Sequence, residues 1–237
     1  MKTLSVIISA FNDHQATVVH VRECMNSTLM PDEIIVVNDH GAEDLKEMLQ
    51  KLEIKTKLIY AYVKDDIKMN YTGARNLGVW LSRGDYISVE DNDHIPQKDF
   101  YKLAVEALEA DKTANRAKTH KRWVVEREDV ISKPLEEWKV IGSRVPHQDV
   151  SVFRRSTLLK IKGYDERFAG EYGWCATDIK RRLHRIEAKN INAGHQYVIQ
   201  SPKTRGLSYR NYHLARNQMD FQSPHGILNF KYEYCEL

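Results

Sequence analysis

Residues 71–93, YTGARNLGVWLSRGDYISVEDND, decide the fold. Within them DYISV (Asp85–Val89) reads as a β-strand, and it runs straight into the acidic cluster Glu90, Asp91, Asn92, Asp93 ahead of His94 and Pro96. Towards the N-terminus, LSVIIS (Leu4–Ser9) and EIIVV (Glu33–Val37) are continuous apolar runs rich in β-branched residues, the pattern of strands buried on both faces. KLIYAYV (Lys57–Val63) is a further strand. Between the strands, Val18, Val21, Met25 and Leu29, and then Leu45, Met48, Leu49 and Leu52 after an acidic first turn, recur at helical spacing. A third helix follows Ala74, Arg75 and Asn76 and carries Trp80, which is expected to pack in the core. The resulting βαβαβαβ order predicts an α/β fold, a mostly parallel central sheet flanked by helices.

After Pro96 the pattern loosens. Phe100, Leu103, Ala104, Ala107 and Leu108 make one more amphipathic face, whereas ADKTANRAKTHKRW (residues 110–123) is polar, basic and free of glycine, which predicts a solvated loop ahead of a strand near Trp123–Val125. Residues 126–146 fit no single period. VSVFR (residues 150–154) reads as a strand, Asp178–Ala188 as a helix, QYVIQ (residues 196–200) as a strand and Tyr209–Met219 as a last helix. With no repeat, low-complexity tract or linker, residues 1–237 are expected to form one domain whose second half wraps the first.

Composition narrows the class. A chain of 237 residues that is 42% hydrophobic can bury a sizeable core, and 36 basic against 33 acidic residues leave a net charge of +3, too small a bias to imply nucleic-acid binding. Cys24, Cys175 and Cys235 are few, odd in number and far apart, as expected of free thiols in a reducing compartment. No stretch reaches the roughly 18–20 apolar residues of a membrane span, and no charged leader precedes LSVIIS, so a cytoplasmic protein is expected.

The acidic run carries the chemistry. Ligands of parallel α/β sheets bind at the carboxyl ends of the strands, and hard carboxylate oxygens there suit Mg²⁺ or Mn²⁺, which would bridge them to a diphosphate. Taken alone, the run is more simply a solvated, helix-capping turn. Two other strand ends are compatible: Ser9, Ala10, Phe11, Asn12, Asp13 after the first strand, and Asn38, Asp39, His40, Gly41 after the second. Asp39 can accept a hydrogen bond from a base N–H while Phe11 covers the base, although Asn, Asp and Gly also populate ordinary crossover turns.

Three segments in register, LSVIISAFND, EIIVVNDHGAEDL and YTGARNLGVWLSRGDYISVEDND, resemble the family 2 glycosyltransferases of GT-A fold over about residues 3–100, and more weakly through FRRSTLLKIKGYDERF and the helix near residue 180. The resemblance implies a Rossmann-like nucleotide-diphospho-sugar transferase fold and a nucleotide-sugar donor. Residues 1–100 would then bind the donor, and residues 101–237 would supply the acceptor site and a C-terminal lid. Asp39 matches the family aspartate that binds the nucleobase, which points to uracil. Arg75 and Asn76 match the segment that lines the nucleotide and diphosphate, and Asp91 with Asp93 match the DXD motif, flanking Asn92. Asp93 is implied to be the more direct metal ligand and Asp91 to address the ribose or donor sugar. A cation and a guanidinium both suit the charge that develops on a departing diphosphate.

The match fails where family members carry a Glu-Asp pair, as in G-W-E-D-x-D-L, whose second acid is the base that deprotonates the acceptor. This chain reads Gly173, Trp174, Cys175, Ala176, Thr177, Asp178. Glu171 and Asp178 are the candidate replacements, provided one comes within about 3 Å of the acceptor oxygen or reaches it through one water; Asp178 serves equally as a helix cap or as a partner for Lys180, Arg181 and Arg182. A retaining mechanism needs no such base. Trp174 offers an aromatic face to a sugar beside Trp123 and Trp138, for which packing is the commoner role.

In SPKTRGLSYRNYHLARNQMDFQSPH, Lys203, Arg205, Arg210 and Arg216 are candidates for a lid over the diphosphate. His213 is a candidate metal ligand by resemblance, and His94 the other histidine of interest. The expected partners are a nucleotide-sugar donor and a carbohydrate or other hydroxyl acceptor. Basic clusters at Arg116–Arg122 and Lys180–Arg185 leave an anionic acceptor or a modified DNA base as the minority reading. A non-catalytic nucleotide-sugar binding module is the contrasting class, and a nucleotidylyltransferase would need a glycine-rich phosphate loop that SAFNDHQ does not supply. Oligomeric state is not legible.

Overall fold

The computed structural model describes residues 2–147, 150–200, 206–217 and 230–237. The chain runs β1 (Leu4–Ala10), α1 (His14–Met25), β2 (Glu33–Asn38), α2 (Leu45–Gln50), β3 (Lys57–Val63), α3 (Tyr71–Leu81), β4 (Tyr86–Asp91), β5 (His94–Pro96) and α4 (Phe100–Ala110). It continues through β6 (Ala114–Lys118), β7 (Lys121–Val125), α5 (Arg127–Ser132), β8 (Val140–Arg144), β9 (Ser151–Arg154) and α6 (Arg155–Lys160). It ends with α7 (Cys175–Arg185), β10 (Lys189–Asn192), β11 (His195–Ile199), α8 (Tyr209–Asn217) and β12 (Tyr232–Glu236).

β1 is buried at every position because both faces of its sheet are covered. Its side chains alternate between two cores. Leu4, Val6, Ile8 and Ala10 pack with Val21 and Cys24 of α1, Leu45 and Leu49 of α2, and Phe100, Tyr101 and Leu108 of α4. Ile7 packs on the opposite face with Ala74 and Leu77 of α3, Leu158 of α6, and Ile179 and Leu183 of α7. Each fully buried aliphatic side chain contributes about 1.5–3 kcal/mol, so these two layers hold the sheet in place. Gly78 lets α3 lie close: a Cβ there would stand 2.2 Å from Cγ2 of Ile7.

The main sheet has the order β10-β6-β9-β4-β1-β2-β3-β12. β1, β2, β3 and β4 are parallel, β9 runs antiparallel to both β4 and β6, and β12 closes the far edge antiparallel to β3. A smaller sheet, β5-β11-β7-β8, packs Ile95, Val125 and Ile199 with Trp138 against Ala16 and Val19 of α1. The predicted α/β class, and the strands at the first, second, third and fourth positions, match this architecture.

Several expectations are corrected. The loop expected over residues 110–123 contains β6, an inner strand of the main sheet. Its polar composition misled because Arg116 is buried: its guanidinium donates to Asn190 Oδ1 at 2.8 Å and lies 5.6 Å from the centre of the Phe153 ring. Trp80 is 61% exposed and not in the core, because Ala74, Leu77 and Leu81 already make the inward face of α3. α7 begins at Cys175, three residues earlier than the acidic residue expected to open it. Of the last predicted helix, Gln218 and Met219 lie outside the described residues.

Candidate functional site

The strand order places a crevice. From β1 the chain steps to β2 and β3 on one side and then returns to β4 on the other, so the parallel strands diverge between β1 and β4, where α/β sheets bind ligands beyond their carboxyl ends. Ser9 sits opposite Asp91 in this register, and Ala10 sits opposite Asn38. With strands about 4.8 Å apart, Asp39 and Asp91 flank β1 at roughly 10 Å from each other.

On one side of β1, Asn38 builds the turn that follows β2: its Nδ2 donates to Ala42 O at 2.9 Å and to Tyr60 Oη at 3.0 Å, while Gly41 N–H donates to its Oδ1 at 2.7 Å. A Cβ at Gly41 would lie 2.7 Å from Asn38 Oδ1 and 3.2 Å from Asn12 N, so any larger residue has to shift this turn. Asp39 follows, only 7% exposed, with its backbone N–H donating to Ala10 O at 2.9 Å. Burial pushes its carboxyl up to about 7, opposed by hydrogen bonding from Asn70 and by His40. Oδ1 of Asp39 is buried with no hydrogen-bond partner among the described residues, so the group faces inward with an acceptor to spare. Phe11 is 52% exposed beside it, and Asn12 takes a left-handed backbone at φ 65°.

On the other side, strand alternation separates the acidic run. Glu90 points into the core, where it bonds His20 Nε2 at 2.6 Å and accepts from Ser88 Oγ at 2.5 Å, so it does not line the crevice. Asp91 points the opposite way and meets α3: Arg75 Nη2 donates to Asp91 Oδ1 at 2.5 Å, and Ser9 Oγ donates to the same oxygen at 3.3 Å. Arg75 is buried between aromatic faces, 5.6 Å from the Tyr71 ring centre and 5.3 Å from that of Tyr164. Asn92 donates towards Asp13 O at 3.4 Å and Thr17 Oγ1 at 3.3 Å, tying the turn to α1.

Asp93 closes the run with its side chain 43% exposed. Burial would raise its carboxyl, but His94, which hydrogen-bonds it, and the nearby Arg122 guanidinium hold it low. Its Oδ1 lies 2.6 Å from His94 Nδ1, and Asp91 Oδ2 lies 3.9 Å from the same nitrogen. One ligand atom from each of Asp91, Asp93 and His94 falls within 4.8 Å of the others. Ionised, hard oxygen donors at that spacing fit Mn²⁺ or Mg²⁺.

The structure does not bring every sequence candidate into this corner. Asn76 is engaged elsewhere: it donates to Tyr164 O at 2.8 Å and Glu166 Oε1 at 2.9 Å, and accepts from Tyr164 N–H at 2.8 Å, so it fixes the segment that stacks on Arg75. Asp178 is buried on α7 and ion-paired with Arg182, at 2.8 Å from Nε and 2.7 Å from Nη2, while Arg182 also donates to Ile161 O and Gly163 O at 2.6 Å. Burial raises the Asp178 carboxyl against that pairing. Glu171 is half-exposed, accepts from Ser208 Oγ, and lies 3.6 Å from Arg210 Nε. Its backbone carbonyl accepts from Tyr71 Oη at 3.4 Å, linking this loop to the helix that carries Arg75.

Trp174 caps α7 in a left-handed conformation at φ 69°, edge-on to Tyr212 at 4.9 Å. His213 is exposed on α8 against Tyr209 at 4.4 Å and belongs to neither potential metal cluster among the described residues. Lys203 and Arg205 lie outside the described residues, as does the side chain of Arg216; Arg210 donates to Ala169 O at 2.6 Å. Arg116 and Arg122 turn inward, which removes both from an outward basic surface. Sequence reasoning missed Asn70, Tyr71 and Tyr164. The i, i+4 spacing of Tyr71 and Arg75 was the available signal for one of them.

A three-layer α/β protein with polar and acidic side chains gathered at the switch point of its sheet is the class this arrangement defines. The family model for Glycosyl transferase family 2 matches residues 5–172, and the chain belongs to that family. It is 25% identical over 181 residues to the GalNAc(5)-diNAcBac-PP-undecaprenol beta-1,3-glucosyltransferase of Campylobacter jejuni, covering 72% of this chain and 57% of that protein. It is 32% identical over 92 residues to an uncharacterized glycosyltransferase of Rickettsia bellii, covering 39% of this chain and 13% of the other. The chain thus spans little more than half, or far less, of these curated relatives. Among solved structures, a mannosyltransferase from Pyrobaculum calidifontis in complex with GDP-Man and Mn²⁺ superposes with a TM-score of 0.60 at 15% identity, over 92% of this chain and 61% of that one. That likeness shows the GT-A fold. Cys24, Cys175 and Cys235 carry free thiols, and no helix among the described residues is long and apolar enough to cross a membrane.

Proposed function

We propose that this chain transfers a sugar from a UDP-sugar to the hydroxyl of a glycan acceptor with the help of Mn²⁺ or Mg²⁺. The convergence of Asp91, Asp93 and Arg75 at the switch-point crevice carries the reading. Asp39, at the end of β2, accepts the N3–H of uracil, and Phe11 lies against the base. Ser9 and Arg75 orient Asp91 towards the ribose and donor sugar. Asp93, with Asp91, holds the cation, which when bound neutralises the charge of the leaving diphosphate. Asn76 acts as a positioning residue, because its bonds set Tyr164 over Arg75.

Glu171 is the better candidate for the acceptor base, since Asp178 is buried in an ion pair and Glu171 is half-exposed on a loop joined through Tyr71 to the Arg75 helix. Trp174, three residues beyond Glu171, is the aromatic face offered to the acceptor on this reading. The C. jejuni relative bears the name of an enzyme acting on an undecaprenyl-linked glycan, which supports a glycan hydroxyl as the acceptor here. Residues 1–100 form the donor half of one domain and residues 101–237 the acceptor half on this reading.

Thermal melts with a panel of nucleotide sugars, with and without Mn²⁺, test it. The expected result is stabilisation selective for a UDP-sugar that needs Mn²⁺ and is lost in Asp93→Ala. Glu171→Gln is expected to keep that stabilisation while lowering transfer by about 10²–10⁴-fold. Donor-selective stabilisation with no transfer or donor hydrolysis by the unaltered protein would instead identify a binding module, and unchanged metal dependence in Asp93→Ala would contradict the site.

A further inference from the structure

Asp93 is reached from the smaller sheet by a chain of two side chains. His94, 4% exposed at the start of β5, places Nδ1 2.6 Å from Asp93 Oδ1 and Nε2 2.7 Å from Arg122 Nη1 on β7. Arg122 is itself buried, and its Nε donates to Val145 O at 2.8 Å, which fixes the direction of the guanidinium. The backbone of Asp93 is held from the same sheet, since Ile199 N–H donates to Asp93 O at 3.0 Å.

The chemistry of these groups settles the proton. A guanidinium offers only N–H donors, so the imidazole nitrogen facing it must present a lone pair. With Nε2 as acceptor, the hydrogen of the neutral ring sits on Nδ1 and is donated to Asp93 Oδ1. An imidazolium would set an N–H against the arginine donors at 2.7 Å, and a ring with its hydrogen on Nε2 would do the same. Two consequences follow for the carboxylate. Its Oδ1 is fixed by the ring while Oδ2 is left for a cation, and His94 keeps no lone pair with which to join the metal shell. Metal-binding groups are commonly oriented by such outer partners.

We propose that Arg122 is a positioning residue for the metal site, acting through the Nδ1–H form of His94 to aim the Asp93 carboxylate. The inference rests on the reading of Asp93 as a metal ligand, and the experiment separates the two. Imidazole ¹⁵N NMR of the metal-free protein reports the position of the His94 hydrogen, and titration of Mn²⁺ followed by the EPR signal of the free ion reports affinity without catalysis. The unaltered protein is expected to show the Nδ1–H form. Arg122→Met is expected to shift His94 towards the Nε2–H form and to weaken Mn²⁺ binding about 10–100-fold, with Arg122→Lys restoring part of both because it again gives Nε2 a donor.

An Nε2–H or charged ring in the unaltered protein overturns the proposal, and that measurement stands even where Arg122→Met fails to fold. So does an Arg122→Met protein that folds and binds Mn²⁺ as before. Asp93→Asn locates the fault: loss of Mn²⁺ binding there alongside an indifferent Arg122→Met removes only the relay, whereas full Mn²⁺ binding by Asp93→Asn removes the metal site as well.

Discussion

Asp39 shows how one residue's surroundings set its chemistry. An exposed aspartate at a strand end would be ionised at neutral pH, but here burial lifts the carboxyl to about 7. The native chain therefore holds a proton that the unfolded chain releases from about pH 4 upward. This group's contribution to stability is complete below that unfolded value and is lost as pH rises to about 7, by roughly 1.4 kcal/mol per pH unit at most. Asp39→Asn removes the slope, so thermal melts are expected to show the variant gaining on the unaltered protein between about pH 4 and pH 7, and by more at pH 8 than at pH 5. Base binding has the opposite sign. On the proposed reading the ionised carboxylate is the stronger acceptor for N3–H, so uridine nucleotide affinity is expected to fall as pH drops below about 7 in calorimetric titrations.

At the scale of elements, α7 carries the clearest separation of structural from chemical roles. Asp178 and Arg182 stand one turn apart on its buried face, and Arg182 ties the helix to the carbonyls of Ile161 and Gly163. Removing one partner leaves an uncompensated buried charge at about 3–5 kcal/mol. Asp178→Ala is therefore expected to lower the melting temperature by roughly 10 °C while leaving donor binding at 20 °C unchanged, read by calorimetry and by titration. A fall in transfer with no loss of stability would return Asp178 to the reacting groups.

The same scale explains what the sequence disclosed. β1, β2 and β3 were legible because strands covered on both faces leave continuous apolar runs. β6 was not, because Arg116 is an inner-strand residue whose charge is satisfied by Asn190 and Phe153, partners distant in sequence. Trp80 misled in the other direction, since residue type suggests burial while the helix face decides it. In the site, the acidic turn and Asp39 stood out by type and position. The roles of Arg122 and Asn76 depended on contacts from residues 28 and 88 positions away, which no local pattern encodes.

Over the whole molecule, the two sheets have different tasks. The large sheet sets Ser9, Asp39 and Asp91 around its switch point, and the small one holds Asp93 through β5, β7 and β11. On the proposed reading the corner where they meet gives the nucleotide a wall and the cation its carboxylates, and transfer depends on both being used by one ligand. Crystals grown with Mn²⁺ and a UDP-sugar test this most directly through the anomalous signal of manganese. The account predicts a manganese peak within about 2.2 Å of an Asp93 oxygen, bridging to the diphosphate; a diphosphate held away from Asp91 and Asp93, with no manganese beside them, would contradict it.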